Sequence, residues 1–148
     1  MRNLLRTILC FVVVLSVTTS CDKEDATDIP IQTISQGSLG GDEGISKQNI
    51  VITSELEWLQ LEEAISKVDQ FTKIEIDFSE YHIIAVFDEV RWSGSWNIEV
   101  VRIAEYPDRI VVNVKVHYPS GIAAPQIITQ PYHIVKIPIS SKRIEFNI

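Results

Sequence analysis

Apolar residues alternate with polar ones through most of the C-terminal two thirds of the chain. In residues 73–78, Ile74, Ile76 and Phe78 share one face, which predicts a strand. Residues 81–87 contain the unbroken run Ile83-Ile84-Ala85-Val86-Phe87, the pattern of a central strand covered on both faces. From Trp96 to Ala104 the apolar side starts with Trp96, Ile98 and Val100, then switches to Val101 and Ile103. That change of parity predicts a bulge near Val100. Residues 109–117 alternate most cleanly, with Ile110, Val112, Val114 and Val116 facing in and Asn113 and Lys115 facing out. Tyr106-Pro107-Asp108-Arg109 forms the turn before that strand, with Pro107 suited to the second position of a type I turn. Residues 132–139 and 143–148 read as the last two strands. Only Ser140-Ser141-Lys142 separates them, so a hairpin is expected.

Upstream, short strands are expected at 31–35 and 49–53, with a glycine-rich loop over 36–48. One helix stands out. Ser54-Glu55-Leu56-Glu57 is a capping box, in which the serine hydroxyl takes an orphan amide and Glu57 reaches back. Trp58, Leu61, Ile65 and Val68 follow at helical spacing, so the helix should end near Val68. Strands do not alternate with helices, which disfavours a parallel doubly wound fold. The expected class is α+β, mainly β: an antiparallel sheet or two-layer sandwich of about seven to eight strands with one packed helix.

Residues 1–20 have the layout of a secretory signal. Arg2 and Arg6 precede an apolar stretch from Ile8 to Val17, too short to span a bilayer. Thr18-Thr19-Ser20 and then Cys21 resemble the lipobox of bacterial lipoproteins, although Thr18 stands where an aliphatic residue is usual. This resemblance implies cleavage before Cys21, an acyl group on its sulfur and attachment to a membrane. Lys23, Glu24 and Asp25 follow, and Cys-x-Lys-acid-acid resembles the surface-export signal of Bacteroidetes-type lipoproteins. Asp22 would instead suggest inner-membrane retention in enterobacterial lipoproteins. The outer membrane surface is the favoured location. Residues 21–30 are expected to be a flexible tether, and 31–148 a single domain.

Charge and cysteine content narrow the chemistry. The chain of 148 residues carries a formal charge of −7. Loss of Arg2 and Arg6 with the signal would leave the mature chain at −9. A nucleic-acid binder that relies on phosphate contacts is disfavoured by that sign. With Cys10 removed and Cys21 acylated, no thiol nucleophile or thiolate metal site would remain. His82, His117 and His133 lie on separate strands without ligand spacing and read as sheet-surface residues. Ser93-Gly94-Ser95 lacks the frame of a hydrolase nucleophile elbow. The pairs Asp42-Glu43 and Glu62-Glu63 read as solvated acids. No catalytic residue, metal or cofactor is expected. Two loops attract attention instead. One covers 88–95 and the other 118–131, stiffened by Pro119, Pro125 and Pro131. Trp92, Gly94, Trp96, Tyr118, Pro125 and Tyr132 are the candidate partner-binding residues if exposed; if buried, the four aromatics among them simply cap the sheet, which is the favoured alternative.

The segment from Val90 to Val100 (VRWSGSWNIEV), the 109–117 strand, the proline-rich loop and Gln130-Pro131-Tyr132-His133-Ile134-Val135-Lys136-Ile137-Pro138 together resemble the PrcB-like C-terminal domain family. The resemblance runs from about residue 74 to 138. Where that family has Gly-Gly-Tyr, this chain has Gly94-Ser95-Trp96. The resemblance implies a non-catalytic accessory that stabilises or assembles an envelope protein complex, with a protease among the candidate partners. Two other functions are considered. A glycine-and-aromatic loop beside a proline-rich loop loosely resembles chagasin-type protease inhibitors, and the tryptophans would suit a glycan-binding surface lipoprotein.

Overall fold

The computed structural model describes residues 25–66, 73–121 and 125–148. In chain order the elements are β1 (Thr27–Ile29), β2 (Gln32–Leu39), β3 (Gln48–Ile52), α1 (Glu55–Ile65), β4 (Tyr81–Phe87), β5 (Asn97–Glu105), β6 (Arg109–His117), β7 (Gln130–Pro138) and β8 (Arg143–Asn147). They form two open four-stranded sheets, ordered β1-β5-β6-β8 and β2-β7-β4-β3. The mainly β, two-sheet expectation holds, with α1 as a third layer.

Period-two patterning explains the layering. On β4, Ile84 and Val86 enter the core between the sheets with Ile98, Val100, Ile110, Val112, Val135 and Ile137. The alternate residues Ile83, Ala85 and Phe87 face a second core with Trp58, Leu61 and Ile65 of α1. β4 and β7 are thus buried on both faces, which is why β4 reads as a continuous apolar run. The capping box forms as expected. Ser54 Oγ accepts the Glu57 amide at 3.4 Å, and Glu57 accepts from the Thr53 amide at 3.0 Å. That Thr53 amide, with the Ser54 hydroxyl, holds the Glu57 carboxyl below its usual range. The β5 bulge also forms, between Val100 and Arg102.

Several expectations are corrected. Thr27–Ile29, placed in the tether, form a strand against β5, where Ile29 packs on the inter-sheet core. Residues 36–39, assigned to the loop, continue β2 along β7 as far as Leu39 opposite Gln130. Residues 73–78 form no strand. Their backbone is taken by helix side chains instead: Trp58 Nε1 donates to the Ile74 carbonyl at 3.1 Å, and Glu62 accepts the Ile74 amide at 3.2 Å. Glu62 is accordingly buried, against its reading as a solvated acid. The final hairpin is absent because β7 already has β2 and β4 as neighbours. The chain crosses to the other sheet, and β8 pairs in parallel with β6. The expected extension of the helix to Val68 lies outside the described residues.

His133 is a further correction. It is buried and faces the other sheet. The Val100 amide, at the bulge, donates to His133 Nδ1 at 2.9 Å. The proton must therefore sit on Nε2, which reaches Thr33 Oγ1 at 2.9 Å. Burial pushes the His133 pKa down, partly opposed by the Glu99 carboxylate.

Candidate functional site

Strand register sends three connections to one end of the sandwich. Leu39 pairs with Gln130, Phe87 with Gln48 and Tyr132, and Asn97 with His117. The connections 40–47, 88–96 and 118–129 therefore share this end. They also touch. Arg91 and Thr129 exchange backbone hydrogen bonds at 2.7 and 2.9 Å, and the Gly94 amide donates to the Pro125 carbonyl at 2.8 Å. A Cβ on Gly41 would meet Val90 at 2.9 Å and Ile128 at 3.1 Å, so the 40–47 connection lies against the other two.

Polar side chains bolt this end together from inside. Asp88 is fully buried, and its Oδ2 accepts from Arg91 Nε at 3.0 Å and Nη2 at 2.8 Å. Lys47 stands 3.4 Å from Asp88 Oδ1. Arg91 also meets Glu89 at 2.6 Å and stacks 3.8 Å from the Trp96 ring centroid. Gln130, buried, donates to the carbonyls of Ile45 and Asp88 at 2.8 and 3.0 Å. Glu43, also buried, accepts the amides of Gly40 and Gly41 at 2.8 Å each. Charged hydrogen bonds of this kind are the strong ones, and in a buried setting they fix loop geometry.

The outside of the same end is apolar. Trp92 is 79% exposed and Tyr118 73%, with Val90, Ile127 and Ile128 also exposed. Trp96 is half-buried and meets Tyr118 edge-on at 5.2 Å, while its Nε1 donates to Ser93 Oγ at 3.0 Å. Gly94 is buried beneath Pro125 and Ile127, where a Cβ would sit 3.1 Å from Ile127. Ser95 has φ 68°, a left-handed backbone that favours glycine. The structure thus brings Trp92, Gly94, Trp96, Tyr118 and Pro125 together. Tyr132 does not join them. It is 7% exposed, stacks on Phe87, and its hydroxyl pairs with Ser35 at 2.9 Å, so it belongs to the core. Cys21, Lys23 and Glu24 lie outside the described residues, and Asp25 is exposed.

Residues 82–138 match the family model described as PrcB C-terminal. That stretch is under half of the chain, and it runs from the second residue of β4 to the end of β7 with both aromatic loops. No curated protein and no solved structure matches the chain. The PrcB C-terminal match agrees with the resemblance read from the 90–100 and 130–138 segments. Sequence reasoning missed Asp88, Arg91, Gln130 and Glu43 as the frame of this end. One signal was legible: an acid at 88 and an arginine three residues later, directly after a buried strand. Among the described residues no cluster of His, Cys, Asp or Glu could hold a metal ion.

Proposed function

We propose that the chain is a lipid-anchored, non-enzymatic accessory subunit of a cell-envelope protein complex. In this reading an acyl group on Cys21 holds the domain at the outer membrane surface, and the loop end docks on a partner protein. The PrcB C-terminal match supports a protease-complex-associated subunit. The observation that carries the docking reading is the inversion of the loop end. Two of its acids, Asp88 and Glu43, are buried and paired, while Trp92 and Tyr118 face water. Buried polar groups and exposed apolar clusters are the informative departures from ordinary surfaces. A rigid frame also lowers the entropy lost when two surfaces associate. Arg91 holds Asp88 Oδ2, two glycine amides hold Glu43, and two carbonyls take the Gln130 amide nitrogen.

Affinity capture from solubilised membranes tests this. The acylated chain should retain a stoichiometric envelope protein, and Trp92→Ala should release it. Recovery of no partner across several mild detergents, or turnover of a substrate by the purified domain, would overturn the reading.

One observation favours a second reading, a protease inhibitor of chagasin-like type. Three loops meet at a single end of the sandwich, as an insert for a cleft would require. Inhibition across a protease panel at micromolar domain separates it from the first. Glycan binding is less well supported. Arg91 covers one face of Trp96, and Tyr118 meets that ring edge-on, so the two rings make no flat stacking platform.

A further inference from the structure

The chain enters the fold at the end opposite the aromatic loops. Thr27 pairs with Glu105, the last residue of β5, whereas Asn97, its first residue, pairs with His117 beside Tyr118. β5 has nine residues, so these two ends stand about 30 Å apart at ~3.4 Å per residue. Between Cys21 and Thr27 there are only six chain steps, which reach about 20 Å when fully extended. An acyl group on Cys21 holds that residue at the lipid surface. Were the domain inverted, with Trp92 in the headgroups, Thr27 would stand about 30 Å above them and the link would fall short by about 10 Å.

The chemistry of the two ends agrees with the geometry. At the entry end the turn Tyr106-Pro107-Asp108 is flanked by paired ions, Glu105 with Lys142 at 2.9 Å and Asp108 with Arg109 at 2.8 Å, and Ile139 after β7 is the exposed aliphatic residue there. Lying flat on the sheet β1-β5-β6-β8 would press Glu99, Arg102 and Lys115 toward lipid. The apolar surface of Val90, Trp92, Tyr118, Ile127 and Ile128 is therefore kept away from the bilayer that anchors the chain.

We infer that this surface takes a protein whose docking site stands about 30 Å or more above the membrane, and that it does not take the membrane itself. The inference rests on acylation at Cys21, as proposed above. Trp92 is the anchor that such a partner must receive in an apolar pocket, because it is the most exposed large apolar side chain at this end and its loop is braced from beneath.

Site-specific photocrosslinking in the native envelope tests it. Benzoyl-phenylalanine replaces Ile127 at the loop end or Asp108 at the entry end, and the acyl mass of the mature chain is read in the same samples. The expected result is a discrete protein adduct from position 127 with no lipid adduct, and lipid adducts from position 108. Trp92→Ala in the position-127 variant should cut the protein adduct at least tenfold and leave the position-108 lipid adducts unchanged. Lipid adducts from position 127 on an acylated chain would overturn the orientation and leave the anchor standing. Equal protein adducts from both positions would overturn it as well. A mature chain without an acyl group would overturn the anchored reading, and this inference with it.

Discussion

At the entry end of the sandwich, short turns are closed by surface ions. Lys142 reaches the Tyr106 carbonyl at 2.7 Å and Glu105 at 2.9 Å, and Arg109 stacks over Tyr106. At the loop end the materials are reversed. Asp88, Gln130 and Glu43 are buried, and Trp92, Tyr118, Ile127 and Ile128 are left in water. The same β4, β5, β6 and β7 feed both ends. An end that only has to close the chain can use exposed ion pairs, each of little energetic consequence. An end that has to present apolar surface without collapsing needs its polar groups inside as struts. The contrast separates a boundary of the fold from a candidate interface.

Removing a strut should have the largest effect. Asp88→Ala strips Arg91 of its buried partner and should cost about 3 kcal/mol in urea unfolding. A loss below about 0.5 kcal/mol, the ordinary surface range, would show that the loop end is not braced through Asp88. Next comes the surface that the struts support. Trp92→Ala should leave unfolding stability within about 0.5 kcal/mol. Affinity for a captured partner should fall by about 2 kcal/mol or more, roughly thirtyfold. A tryptophan that mattered to the fold instead would show its loss in the unfolding curve.

Between the two ends, His133 gives a titratable control. Burial depresses its pKa, so the unfolded chain binds the proton more readily than the folded one. The stability that neutral His133 contributes is full above its ordinary value of about 6.5 and is lost as pH falls through the lower folded value. His133→Gln keeps an acceptor and a donor without titrating. Its stability should therefore decline less steeply on acidification from about pH 7 to pH 5 than that of the parent chain. Parallel curves would mean that the ring does not span the sheets as a neutral acceptor. Ser95→Gly should raise stability by about 0.5–1 kcal/mol, because glycine accepts the left-handed backbone without a Cβ penalty. Thermal melts of the two forms would decide it, and no gain would mean that Ser95 offsets its strain elsewhere. Smallest of all, Lys142→Ala at the entry end should cost under about 1 kcal/mol and weaken further in high salt.

The apolar pattern correctly located β4, β5, β6 and β7, as an unbroken run in β4 and as faces set by each strand's own residues in the others. The capping box at Ser54 and the bulge at Val100 were equally legible, being local in the chain. Residues 73–78 alternate just as well and form no strand, because Trp58 and Glu62 occupy the backbone groups of Ile74. β8 follows β7 by a short connection, yet pairs with β6 in the other sheet, because both edges of β7 were taken. At the candidate site, the aromatic residues of the two loops were visible as a group, and only Tyr132 was misassigned. Alternation places Tyr132 on the face that α1 covers, and nothing within its own strand announces the helix.

The residues by themselves determined the strand-rich class, the capped helix, the bulge and the aromatic loops, because these follow from contacts or periodicities within a few positions. Tertiary structure alone decided which strands share a sheet, that His133 joins the two sheets, and that Asp88, Gln130 and Glu43 turn inward while Trp92 turns out. Those outcomes depend on partners far away in the chain, such as Ile45 for Gln130 and Val100 for His133. A buried charge is stable only when folding delivers its counterpart, and the spacing of residues along one segment carries no record of that delivery.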